Sequence, residues 1–220
     1  MGVAASLNRA LRQTQGDYVA RMDADDVSLP RRFEKQIKFL QKNPWVVAAG
    51  CQVGVINQRG ELTGYKSFPT EPKNCYQMLM LTVPIKHPTL MVGAKTIKKY
   101  FYNPRMKTAE DWELYFKLLQ SGELANISEM LYFYRQYFGS NGFHELRKAF
   151  GLTVRARLKG IFKYGYRPGV LGVIGVIGEA ILVWLLPEKW VFKIFSFLRV
   201  KKSPFPKLSL TSFRFAPGVS

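Results

Sequence analysis

Cysteine is scarce: Cys51 and Cys75 are the only two in 220 residues. They match no zinc or redox spacing and are too few for a disulfide scaffold, so a reducing cytosol is the simpler setting. No internal repeat or low-complexity segment interrupts the chain. Residues 1–10 lack the basic start, apolar stretch and small-residue cleavage site of a secretory signal. Acids are scarce in one region above all. Residues 146–220 hold 14 Lys/Arg against only Glu179 and Glu188, and so carry +12 of the net +18. What the chain does have is apolar content of 47% and aromatic content of 14%, which excludes a disordered chain. Its length suits one sizeable core plus an appendage, with a division expected between residues 1–145 and 146–220.

Against that basic background, Asp23, Asp25 and Asp26 place three carboxylates within four residues, directly after a strand-like run over residues 18–22. Like charges so close destabilise one another, and a fold that keeps them at a strand end usually holds a cation there. A hard divalent ion with oxygen ligands, shared with a phosphate-bearing substrate, is one reading. An acidic surface turn capping the next helix is the other.

Residues 3–11 repeat apolar side chains at helical spacing, and residues 17–22 read as a buried strand. Ser28 as cap and Pro30 in a first turn open a helix whose apolar face is Phe33, Ile37 and Leu40, stopped by Asn43-Pro44. Residues 46–56 and 62–68 read as strands around a turn at residues 58–60. A helix follows Pro72, carrying Tyr76, Leu79 and Met80. Residues 87–92 read as a short strand entered through Pro88, residues 110–120 as a helix ended by Gly122, and residues 131–135 as a last strand. Alternating strands and helices favour an α/β sheet whose ligands sit beyond the strand C-termini, where the acidic cluster lies.

A second acidic pair, Glu110-Asp111, opens the Trp112 helix. Acids in a first turn commonly just complement the helix dipole. The same positive potential would keep Asp111 ionised, and an ionised carboxylate aimed at a pocket can take a proton from a hydroxyl.

The order of features then matters. The chain reads L-N-R-A-L, then G-D-Y-V-A-R-M-D-A-D-D-V-S-L-P-R-R-F-E-K-Q, then H-P-T, then A-E-D-W-E-L, G-E-L-A-N-I and Y-F-Y-R-Q. Over about residues 2–140 this strongly resembles the family 2 glycosyltransferases, which have the nucleotide-diphospho-sugar transferase (GT-A) fold. The resemblance implies a mixed sheet flanked by helices. It implies that Asp23 and Asp25 bind a divalent metal, Mn²⁺ or Mg²⁺, and that Asp23 also meets the ribose and diphosphate of a nucleotide-diphospho-sugar donor. Asp26 fills the adjoining acidic place, and Asp111 matches the family's base, in the Glu110-Asp111 pair near the acceptor. Asn8 and His87 match recurrent positions, with a supporting, pocket-lining role. The implied reaction is inverting and single-step, onto a saccharide or lipid-linked acceptor.

Two departures stand beside the resemblance. The family begins with a strand-helix-strand unit that recognises the nucleotide base, and Met1 falls after it, so the expected sheet is truncated at its N-terminal side. After His87-Pro88-Thr89, Val92-Gly93-Ala94 replaces an arginine-bearing stretch. The Q-x-x-R-W signature of processive synthases is missing although Gln136 follows Arg135, which favours addition of single sugars.

In the tail, residues 169–186 form an 18-residue apolar stretch between Pro168 and Pro187, broken only by Glu179. Trp190, Val191, Phe192, Ile194, Phe195, Phe197 and Leu198 then interleave with Lys189, Lys193 and Arg199. A membrane-surface or re-entrant helix, a true span and soluble packing all remain open, with four glycines, a near-central acid and basic flanks weighing against a span. An anionic membrane surface, at the cytoplasmic face of the cell membrane, is the expected partner. Nucleic acid ranks lower, because the basic residues border apolar segments rather than a polar groove. A catalytically inactive remnant of the fold and a basic membrane-binding protein are the competing readings.

Overall fold

The structure is a computed structural model that describes residues 2–106, 109–136, 146–187, 190–191 and 201–202. Its centre is strand β3, Val46–Ile56, whose run of Val, Ala, Gly, Cys and Ile is buried almost throughout. A strand covered on both faces needs such a continuous apolar run rather than alternation. Strand β6, Glu123–Arg135, lies parallel to β3 along its length, from Val46 opposite Glu123 to Ile56 opposite Arg135. On β3's other side run antiparallel β4, Leu62–Lys66, and β5, Met91–Gly93. Strand β1, Tyr18–Ala20, pairs antiparallel with β5, and the short β2, Val27–Ser28, pairs antiparallel with β6. Lys201–Lys202, as β7, pairs with β4. The mixed α/β sheet flanked by helices that the resemblance implied is therefore present.

Helix α1, Val3–Gln13, buries Ala4, Asn8 and Leu11. Helix α3 is Pro72–Met78, α4 is Ala94–Lys99, and α5 is Glu110–Leu118. Ile85, Leu90, Val92, Trp112, Tyr115 and Phe116 share one apolar core with residues of α1.

Three local expectations are corrected. Helix α2 is Arg32–Lys42, entered from Arg31 in a left-handed conformation (φ 68°), while Ser28 lies in β2 rather than capping the helix. The buried face of α2 is Arg32, Gln36 and Leu40, and Phe33 is exposed. The cause lies in backbone acceptors that the sheet leaves open. Arg32 donates to the carbonyls of Pro88 (3.0 Å) and Arg21 (3.1 Å), and Gln36 donates to those of Ala49 (2.9 Å) and Thr89 (2.8 Å). A buried carbonyl without a donor costs more than burying the polar side chain that satisfies it. Residues 87–89 form a 3₁₀ turn, not a strand, because proline at its start removes a ladder donor; pairing begins at Met91. The last strand begins at Glu123, well before residue 131.

Helices α6, Leu146–Tyr164, and α7, Val170–Leu185, follow. Helix α6 packs on α5, and Ala156 and Tyr166 enter the same core as Trp112 and Phe116. Buried Glu113 of α5 accepts hydrogen bonds from Lys159 Nζ (3.0 Å) and Tyr164 Oη (3.1 Å) across this contact, and from Asn103 Nδ2 (2.9 Å). Arg157 stacks over Trp112 at 4.4 Å and pairs with Glu179 of α7 at 3.0 Å. Among the described residues no helix is long and apolar enough to cross a membrane. The second apolar-basic segment lies outside the described residues except Trp190 and Val191.

Two glycines of α6 give a matched test. A Cβ on Gly160 would sit 2.7 Å from the Phe116 ring, whereas one on Gly151 meets nothing within 4 Å. Gly160→Ala is expected to destabilise by about 1–3 kcal/mol through overpacking. Gly151→Ala should stabilise by about 1 kcal/mol through helix propensity. Urea unfolding of both variants checks the opposite signs.

Candidate active site

Strand β1 delivers Arg21, whose amide donates to the Leu90 carbonyl (2.8 Å), and the chain then turns so that the Asp26 amide reaches the Asp23 carbonyl (3.3 Å). The three carboxylates of this turn are sorted by their partners. Asp23 is held by the Arg21 guanidinium at 2.7 and 3.3 Å. Asp26, buried, accepts from the Tyr132 hydroxyl (2.8 Å) and the Arg135 amide (2.7 Å). Burial pushes its carboxyl up to about 6, against the pull of those two hydrogen bonds. Asp25 is exposed, and its carbonyl accepts from Arg135 Nε at 2.7 Å. The Tyr132 hydroxyl also accepts from the Asp23 amide (3.2 Å), so one β6 side chain clasps both ends of the turn.

Among the described residues no group of three or more His, Cys, Asp or Glu is arranged to hold an ion. Asp25 and the partly exposed Asp23 nevertheless offer hard oxygen donors. That set fits an ion of the Mg²⁺ or Mn²⁺ type, which is commonly bound by one or two carboxylates with water and substrate phosphates completing the shell.

The second acidic pair opens α5 after Ala109, a non-glycine residue in the left-handed region (φ 59°). Such a conformation costs about 1–2 kcal/mol and turns the chain sharply into the helix. Asp111 accepts from the Trp112 amide at 2.9 Å. Burial raises its carboxyl above the ordinary range, while the Lys86 charge, that amide bond and the Arg21 charge pull it down. Glu110 is raised as well, by burial and then by the charge of Asp111. The helix start therefore does not by itself settle the ionisation of Asp111; desolvation opposes it and wins.

The two acidic regions share one electrostatic neighbourhood. Lys86 feels Asp111, Asp26 and Asp23, and Arg21 acts on Asp111, Glu110 and His87 while gripping Asp23. His87 lies beside them, buried, with its imidazole driven well below its ordinary range by burial and then by Arg21 and Lys86. A 2.8 Å hydrogen bond joins His87 Nε2 to the Tyr102 hydroxyl, and Nδ1 lies 3.8 Å from Glu110 Oε1. Asn8 acts one step further back: its amide donates to the Tyr102 carbonyl (2.8 Å) and accepts from the Tyr102 amide (2.9 Å). Asn8 thus holds the segment that holds His87.

Sequence reasoning did not single out Lys86, Arg21, Arg32 or Tyr132. Arg21, Arg32 and Tyr132 lay inside motifs already noted, which was a usable signal. Lys86 gave none, since a cation in a loop reads as solvated surface.

Residues 1–103 match the sequence model described as Glycosyl transferase family 2. The chain is 35% identical over 138 residues to the putative glycosyltransferase EpsE of Bacillus subtilis, covering 61% of this chain and 49% of that protein. It is 27% identical over 204 residues to an uncharacterized glycosyltransferase of Haemophilus influenzae, covering 90% of this chain and 74% of that one. Among solved structures, the mannosyltransferase PcManGT from Pyrobaculum calidifontis, in complex with GDP-Man and Mn²⁺, aligns with a TM-score of 0.43 at 18% identity, over 90% of this chain and 59% of that one. The chain spans about half the length of EpsE.

The clasp on the acidic turn is testable alone. Tyr132→Phe deletes the hydroxyl that serves both Asp23 and Asp26 and leaves buried Asp26 short of a donor. A loss of about 1–3 kcal/mol in urea unfolding at neutral pH is expected, whereas Tyr134→Phe, outside the clasp, should cost less.

Proposed function

Over residues 1–103 the chain belongs to glycosyl transferase family 2, and on that premise we propose that it moves a sugar from a nucleotide-diphospho-sugar to an acceptor hydroxyl, with inversion and with a divalent cation. The observation that carries this reading is the pairing of two acidic groups in one electrostatic neighbourhood, one at the end of β1 and one at the start of α5. The two jobs of the reaction need separate acids, one for the leaving group and one for the nucleophile.

In this reading Asp25 and Asp23 hold the ion, and Arg21 sets the position of Asp23. When bound, the ion supplies charge neutralisation for the departing nucleoside diphosphate. Asp111 accepts the proton of the acceptor hydroxyl while that oxygen bonds the anomeric carbon and the carbon–oxygen bond to the diphosphate breaks. A carboxylate raised by burial is a stronger base than an exposed one, which suits the task near neutral pH. Glu110, His87 and Asn8 form the wall behind Asp111, with Tyr102 linking the last two. A saccharide or a lipid-linked alcohol serves as acceptor.

A second feature supports a membrane-surface setting. Leu158 and Phe162 of α6 and Val170, Leu171, Ile174, Ile177, Ile181, Trp184 and Leu185 of α7 are exposed. Basic Arg147, Lys148, Arg155, Lys163 and Arg167 are exposed along the same segment. Apolar side chains with basic neighbours suit the boundary of an anionic bilayer. At 16 residues α7 is shorter than the about 20 needed to span.

Incubation with sugar nucleotides and Mn²⁺ or Mg²⁺ should release nucleoside diphosphate. Asp111→Asn is expected to lower kcat by about 10²–10⁴-fold, and Asp25→Ala should remove the dependence on the ion together with activity. Activity indifferent to both substitutions would sink the proposal. The sign of the pH response follows from burial: kcat should fall on acidification at a pH above about 3.9, the ordinary aspartate value. Co-sedimentation should favour anionic phosphatidylserine vesicles over neutral ones and over duplex DNA across a salt series; equal binding to DNA would reject the membrane setting.

A further inference from the structure

Lys86 is a cation with a fixed place and, among the described residues, no ion-paired carboxylate. Its carbonyl accepts from the Thr89 amide (2.7 Å) and the Thr89 hydroxyl (2.8 Å), which locks the backbone at the entrance to the 3₁₀ turn. Ile85 and His87 on either side are buried. The ammonium lies 3.9 Å from the centroid of the Tyr134 ring. Tyr134 is itself set in β6, opposite Val55 of β3. Both ends of the side chain are therefore held before any ligand arrives.

Among the described residues no carboxylate lies within ion-pair distance of the Lys86 ammonium. Asp111, Asp26 and Asp23 all act on it from further off. Two of those are already engaged, Asp23 by Arg21 and Asp26 by Tyr132 and Arg135. A half-buried ammonium with three N–H donors and no protein acceptor among the described residues is costly to desolvate, and burial pulls its basicity down accordingly. The cation–π contact offsets only part of that, at about 0.5–2 kcal/mol. An incoming anion would relieve it.

We propose that Lys86 is a donor-binding residue whose ammonium, held beside the Tyr134 ring, takes the diphosphate of the sugar nucleotide. This rests on the glycosyltransferase reading above, because the donor's diphosphate is the anion that reading brings to the acidic turn. Two carboxylates and one divalent ion balance each other, so the negative charge of the diphosphate itself still needs a cation. A lysine can supply that as a point charge. It also meets charge that grows as the carbon–oxygen bond breaks, so it stabilises the departing group more than the bound donor.

The competing role for Lys86 is purely internal, holding Asp111 ionised. Calorimetric titration with inorganic diphosphate and Mn²⁺ separates the two without turnover or a known sugar. Lys86→Met should weaken binding at least about tenfold, near 1.4 kcal/mol, and Lys86→Arg should restore most of it. Circular dichroism and urea unfolding of each variant confirm a folded protein. Lys86→Met that binds diphosphate as tightly as the wild type overturns the inference, even if its pH–rate profile moves, since Lys86 then only tunes Asp111. Failure of the wild type to bind diphosphate overturns it equally. The parent reading fails separately, if wild-type protein releases no nucleoside diphosphate from any sugar nucleotide.

Discussion

One hydroxyl joins segments far apart in the chain: Tyr132 of β6 accepts from the Asp23 amide and donates to the Asp26 carboxylate. The acidic turn depends on that joint, and the joint depends on β6 lying parallel to β3, where Tyr132 stands opposite Val53. Arg135, further along the same strand, adds its amide to Asp26 and its guanidinium to the carbonyls of Asp25, Asn57 and Gln58. Without these donors three neighbouring carboxylates would repel one another into an open loop. With them, Asp26 becomes part of the framework and Asp25 is left exposed.

The charges around the two acidic regions form a linked set. Arg32, almost fully buried, ties the end of β1 to the 3₁₀ turn through the Arg21 and Pro88 carbonyls, and lies between the Phe33 and Tyr132 rings at 4.8 and 5.0 Å. Arg21 and Lys86 are thereby presented to both acidic regions. Burial pushes Asp111 up and Lys86 down, and each offsets the other's loss. Each charge thus partly offsets the desolvation of the other, in a place where an interaction between charges is stronger than it would be in water.

Much of this was legible in the residues. The apolar run of β3, broken only by Gln52, predicts its full extent, since a doubly covered strand has no polar face to confuse the reading. The acidic turn and the Glu110-Asp111 helix start announce themselves by charge. What could not be read is where polar side chains satisfy distant backbone. Arg32 and Gln36 take the buried face of α2 because carbonyls of β1, β3 and the 3₁₀ turn need donors. The role of Lys86 depends on a ring brought alongside it by strand pairing, and local pattern says nothing of that.

A crystal structure with Mn²⁺ and a non-transferable analogue of the sugar nucleotide, the ion located by its anomalous scattering, bears most directly on the central claim. The account predicts density for the ion at Asp25 and Asp23, with the anomeric carbon between it and the Asp111 carboxylate. An ion bound elsewhere, or Asp111 turned away from the sugar and packed as an inert cap of α5, would contradict it.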